Sequence, residues 1–417
     1  MTRPLSCLPL CLPLCLLLAC LLAPHNLWAR VLLASPARGL GTTTAQAQPG
    51  DTVRVAAGIY LEDSVRVSCR LSLLAERGAV LDGSGGGHLL LVHADSVRIV
   101  GLTLRNTTAS YRSDYAAILA ENCTGLQIHD CVLEQAFFGI YLARCTGARL
   151  TGNRIGAHFT SETLSGNGIH LWHCRAPFIA GNTIRGHRDG IYLEFVRQAT
   201  IEHNEGLHNL RYGLHFMFSD SCRYLDNTFS ANGAGVAVMY SHAVDMSRNT
   251  FSANWGPASC GVLLKEITDS RLEDNLFEAN TTGLHVEASN RLQAHGNRFV
   301  RNGWALRLMS NSTEGVYENN LFLANSFDVA TNGRQNYSTF RGNRWDRYRG
   351  YDLDRDGFGD VGFRPVSVFS HVVQDQGPAL ILLRSLFVDL LDGAERAFPL
   401  LTPITLQDES PRMELQP

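Results

Sequence analysis

Seven glycine–asparagine pairs in this chain keep one spacing. Gly139 and Asn153, Gly168 and Asn182, Gly190 and Asn204, Gly213 and Asn227, Gly235 and Asn249, Gly261 and Asn275, and Gly283 and Asn297 are each fourteen residues apart. Successive pairs mostly follow at 22 or 23 residues. A fixed period of this length is the signature of a solenoid. Ile191 to Glu194 and Leu214 to Met217 alternate in the manner of strands. No segment of the repeat holds the ten or more residues of 3.6-period pattern, roughly, that a helical repeat requires. The spacing therefore predicts an all-β fold, a parallel β-helix of three short strands per coil. Roughly eleven coils stacked at the interstrand spacing would make a rod about 50 Å long.

A strict period turns distant residues into vertical neighbours. With each opening glycine as zero, positions +1 and +3 are uniformly apolar, as in Ile191 with Leu193 and Val236 with Val238, and are assigned to the interior. Position +16 (Ile155, Ile184, Gly206, Phe229, Phe251, Phe277, Phe299) joins them. The +14 asparagines are expected to hydrogen-bond along the stack and to occupy left-handed corners. By two-residue alternation, +2 and +4 face outward. There stand Tyr141, His170, Tyr192, His215, Ala237, Leu263 and His285, with Ala143, Trp172, Glu194, Met217, Met239, Lys265 and Glu287. His170, Glu194, His215, Met217 and Met239 fall within three coils. Imidazole and thioether together suit copper, thioether favouring the cuprous ion. The plainer reading is a partner-binding patch, since aromatic residues and Met are enriched at interfaces; the two readings are compatible.

The 417 residues are 45% hydrophobic with formal charge −3, which is ample for a large core and offers nucleic acid no basic surface. Residues 1–29 read as a secretory leader: Arg3, an apolar run from Leu5 to Ala23, then Leu27 to Ala29 as a cleavage site. A retained anchor and a lipidated Cys20 are the alternatives. Export in a bacterium means the periplasm. Residues 35–345 are assigned to the β-helix, with a short N-terminal cap at Ser35 to Gln48 over the open strand edge. Two insertions interrupt the array, near His158 to Gly166 and at Asn254 to Cys260. Residues 346–417 form a loop and an amphipathic helix, Pro378 to Ala397, for capping or partner docking.

Two further clusters stand out. Cys123, Cys145 and Cys174 share position +6 and should stack about 4.8 Å apart, within disulfide range or in reach of a soft metal. Val196, Ser219, Ser241, Ile267 and Ser289 hold the same position in other coils, so a small buried corner residue is the favoured reading. Asp352, Asp354 and Asp356 with Gly357 match the start of a calcium loop. Phe363 stands where the bidentate acid would be, which excludes an EF-hand; Asp360 could serve instead. No nucleophile elbow, P-loop or zinc-protease pattern occurs. Glu194 has no second acid one coil away, which weakens the alternative of a β-helix polysaccharide lyase or epimerase.

Gly186 to Phe195, Arg211 to Ser219, Asn232 to Ser241, Gly261 to Ile267, Asn302 to Met309, Phe327 to Gly333, Gly350 to Asp360 and Ala379 to Leu391 together resemble the NosD family, periplasmic maturation proteins of nitrous oxide reductase. The resemblance implies a right-handed β-helix of carbohydrate-binding type. It also implies a non-enzymatic accessory factor working with the membrane and ATPase subunits of an ABC transporter. A copper chaperone lipoprotein and the apo-reductase are its further implied partners. The family is copper-binding, but the resemblance assigns no ligands, so the His/Met set rests on the ladder alone.

Overall fold

The computed structural model describes residues 29–413 except 85, 111, 334, 384 and 399–404. The leader lies outside the described residues. The chain winds as a right-handed parallel β-helix. Its three sheets hold fourteen, thirteen and twelve strands, so the coils number about fourteen and the expected eleven was too few. The early coils from Val31 to Arg105 are irregular in length, which hid them from the period. The first sheet begins at Val31–Ala34, paired with Thr52–Val55, earlier than the residue-35 boundary. The last strand is Arg344–Trp345. A short helix, Leu40–Ala45, lies beside the first coils, and Glu62 accepts from the backbone N–H groups of Leu40 and Gly41.

Each of the three corners carries a side-chain ladder. Between the first and second sheets stand the expected asparagines. Asn182 donates from Nδ2 to Asn204 Oδ1 at 2.9 Å and to Leu150 O at 2.9 Å, while its own N–H meets Asn204 Oδ1 at 2.9 Å. The pattern repeats to Asn320 and Asn343. The left-handed backbone falls on the residue before each asparagine (φ 65° at Gly152, 55° at Asp226), not on the asparagine. A second asparagine ladder, Asn209, Asn232, Asn254, Asn280, Asn302 and Asn325, turns the chain from the second sheet into the third. His187 heads this ladder, donating its backbone N–H to Asn209 Oδ1. The third corner carries hydroxyls: Ser219, Ser241, Ser289 and Ser312 accept N–H from the preceding coil. Buried amides in an apolar lumen would cost several kcal/mol each unless paired. Stacking identical coils pairs them all.

Inside, the +16 rings stack: Phe229, Phe251, Phe277, Phe299 and Phe322 follow one another at 6.2, 5.0, 4.6 and 4.9 Å between centroids. Trp345 ends the stack at 4.0 Å. Gly206 breaks the aromatic row because a Cβ there would lie 2.8 Å from the Phe229 ring.

After Trp345 the chain does not make one long helix. Val368–Asp375 is a helix, Gly377–Leu382 a 3-10 turn and Leu386–Ala397 a second helix; Pro378 and the Ser385 cap divide the expected single element. Phe369, Val373 and Val388 pack on Trp304 and Phe327, and so cover the end of the third sheet. Residues 405–413 then return to the last coil, where Asp408 bridges Phe340. No described helix is long and apolar enough to cross a membrane.

Candidate functional site

The third sheet has the longest strands, up to six residues. Its register is the one the period requires. His170 pairs with Tyr192, Tyr192 with His215 and His215 with Ala237; Trp172 pairs with Glu194, Glu194 with Met217 and Met217 with Met239. The alternating residues Ile191, Leu193, Leu214 and Phe216 fill the lumen.

The two outer rows differ. Row +4 is half-exposed, as expected. Row +2 points away from the lumen but is covered in part: His170 keeps 8% of its surface, His215 5% and Ala237 none, while Tyr141, Tyr192, Leu263 and His285 stay half-exposed. The cover comes from the first insertion and from the residues that enter each strand. Asn167, at the end of the insertion, places Nδ2 3.0 Å from His170 Nδ1. Arg188 donates to Asn167 Oδ1 at 3.3 Å. Asp189 is fully buried; its carboxylate receives Arg211 Nε at 2.8 Å and lies 3.3 Å from His215 Nδ1. Burial pushes Asp189 toward the acid form, but Arg211 and His215 outweigh it and hold the carboxyl below its ordinary value. Burial, then the Arg188 charge, takes His170 down to about 3. Burial, then Arg307, takes His285 down to about 4. These two imidazoles are neutral at any physiological pH.

The five residues proposed for copper are thus not one cluster. The Tyr192 ring separates His170 from His215, with centroids at 4.8 and 4.9 Å. Two imidazoles with an aromatic ring between them cannot share an ion whose nitrogen ligands sit about 2 Å away. His170 is tied to the first insertion. His215 shares the outer face of the third sheet with Glu194, Met217 and Met239. Its Nδ1 faces a carboxylate, the usual support of a metal-bound imidazole, and its buried Nε2 has no partner. The thioethers of Met217 and Met239 are register neighbours on the same face. This donor set fits a soft cuprous ion; His170 does not belong to it.

Beside row +4 runs a feature that the sequence reading missed. His173, Phe195, Phe218 and Tyr240 stack as exposed rings at 4.6, 5.1 and 5.0 Å, tilted by 14° or less. Each has φ near +50°, a conformation unfavourable for bulky side chains. Their spacing of 22, 23 and 22 residues was legible at position +5. Asp189 and Arg211 left no such trace, because neighbouring coils place other residues there.

Asp352, Asp354 and Asp356 do gather, with one ligand atom each within 4.8 Å. Asp360 stands outside that group and accepts the Leu353 N–H at 2.7 Å. Backbone N–H groups of residues 355–358 reach both oxygens of Asp352 and one each of Asp354 and Asp356. The Asp356 N–H favours the Asp354 carboxylate, yet the neighbouring acids outweigh it and raise the group above its usual range. The seven described cysteines are free thiols.

A family model described as "Periplasmic copper-binding protein (NosD)" matches residues 156–350. A relative in Pseudomonas aeruginosa, named "Probable ABC transporter binding protein NosD", is 30% identical over 90% of this chain and 94% of its own. The chain belongs to the NosD family. A Stutzerimonas stutzeri NosD with the same name is 26% identical over 92% of each chain. NosD relatives are thus named as binding proteins, and the family is described as periplasmic and copper-binding. Among solved structures, the surface adhesin PfbA of Streptococcus pneumoniae aligns with a TM-score of 0.52 at 11% identity, covering 77% of this chain and 91% of its own. That likeness shows the β-helix alone.

Proposed function

We propose that this chain is a non-enzymatic periplasmic scaffold for assembling the copper–sulfur cluster of nitrous oxide reductase. One observation carries the reading. On the third sheet a half-exposed thioether and carboxylate row lies beside a stair of exposed stacked rings, over the buried Asp189–His215 pair. A copper chaperone lipoprotein and the apo-reductase would dock on this face. The cuprous ion would pass as cargo across Glu194, Met217, Met239 and His215. The membrane subunit of an ABC transporter would meet the C-terminal helices, where Ile381, Leu386, Phe387 and Leu390 project into solvent. Energy would come from the transporter's ATPase subunits, as this chain has no P-loop.

The test replaces Met217 and Met239 together by Ala. Both side chains are half-exposed, so the coil survives their loss. The double variant should leave the rod's melting unchanged while the reductase accumulates without its copper–sulfur cluster. A reductase with normal cluster content would remove this face from the mechanism.

We propose separately that the Asp352–Asp356 loop binds calcium, a hard ion suited to clustered carboxylates. Calorimetric titration giving no heat, with no rise in melting temperature, would discard it.

A further inference from the structure

The corner between the third sheet and the first carries Cys123, Cys145 and Cys174 in three consecutive coils. The adjoining residues Thr124, Thr146 and Arg175 are bridged in strict parallel register. All three thiols are buried, with 1–2% of each residue exposed. Each S–H finds backbone carbonyls, of Val92 and Glu121 for Cys123, Ala120 and Ala143 for Cys145, and Leu142 and Trp172 for Cys174, and the register stacks the three residues one coil step, about 4.8 Å, apart. Four serines accept a backbone N–H elsewhere at this corner. Where four coils place serines, this corner therefore holds a row of three buried sulfurs.

Packing does not require sulfur here. Val196, Ile267 and the serines fill the position in the other coils. What the block adds is soft donors one coil step apart. Thiolate sulfur selects cuprous copper over harder ions. Three sulfurs strung along a rod cannot surround one ion, because the outer two are separated by two coil steps, about 9.6 Å at the strand spacing. Adjacent sulfurs can bridge one.

We propose that Cys123, Cys145 and Cys174 form a second soft-metal site, in which one cuprous ion sits between two adjacent sulfurs and Cys145 belongs to both possible seats. Binding breaks two S–H bonds and forms two S–Cu bonds; two protons leave to solvent and no electrons move, since copper enters as the cuprous ion. The site is distinct from the Met217–Met239 face and does not depend on it.

The shared sulfur gives the test its signature. The purified protein is titrated anaerobically with cuprous ion against a coloured cuprous chelator. Binding is read by near-ultraviolet thiolate-to-copper absorption and by X-ray absorption for two sulfur neighbours. Cys145→Ser should lose the thiolate-bound ion. Cys123→Ser and Cys174→Ser should each keep it, through the seat that remains, and the Met217→Ala/Met239→Ala variant should also keep it. Serine is native to this ladder, so the variants fold, which their melting curves verify. Three cysteine variants behaving alike, no thiolate band in the unsubstituted protein, or a mass two daltons light from a disulfide would each overturn the assignment.

Discussion

Asn343 donates from Nδ2 to the Asp408 Oδ2 at 2.9 Å, and that single carboxylate oxygen closes the asparagine ladder. The Asn343 backbone N–H and the Trp345 indole N–H reach the same oxygen at 3.1 and 3.0 Å. Every earlier asparagine finds its acceptor in the next coil; the last one finds it 65 residues away in sequence. A tail returning to complete the ladder is what lets the rod end without orphaned buried donors. Asp408→Ala should therefore cost about 2–4 kcal/mol, the penalty of leaving buried donors unpaired. Hydrogen exchange should rise first in residues 339–345. Asp408→Asn, which keeps an acceptor, should cost less. Equal exchange in the Ala variant and the unsubstituted chain would show that the tail is ornamental.

The same ring type should behave oppositely inside and outside the rod. Phe277 is fully buried between Phe251 and Phe299. Phe277→Ala should destabilise by roughly 3–5 kcal/mol. Phe218 is 40% exposed, and Phe218→Ala should cost less than about 1 kcal/mol. It should nevertheless weaken capture of the chaperone or reductase. Chemical denaturation and co-purification separate the two effects.

Acid should weaken the fold through His187. The ring is fully buried, and neither nitrogen has a hydrogen-bond partner. Burial lowers it to about 4; the Gly166 carbonyl nearby opposes this only weakly. The unfolded chain takes up the proton near pH 6.5, and the native one only near 4. Stability therefore falls as pH drops through that window, by up to roughly 3 kcal/mol for such a shift. His187→Asn would extend the second asparagine ladder by one rung and should flatten the melting temperature between pH 6.5 and 4. An unchanged pH profile in that variant would clear His187 of the effect.

The C-terminal helices leave Leu386, Phe387 and Leu390 between 58% and 73% exposed, while Val388 is buried against the last coils. Changing the three exposed residues to Asp should leave melting nearly unaltered, since none is buried. It should abolish co-purification with the ABC transporter. Retention of the complex would move the docking site elsewhere.

The period alone determined the β-helix, the strand register, the inward rows and the first asparagine ladder. Each follows from counting, because equal coil lengths place position n over position n and the two-residue alternation fixes which side it faces. Counting could also have found the second ladder from Asn209 and the ring stair from His173. It could not reveal that His170 and His215 of row +2 lie under cover. That depends on Asn167, Arg188 and Asp189, residues of an insertion and a corner where the repeat is broken and no ladder exists to read. Nor could it divide the His/Met set, because the Tyr192 ring separates His170 from His215 only once both have packed. Asp408 shows the same limit at the end of the rod. A contact across 65 residues has no period, and only the folded chain brings that carboxylate to Asn343.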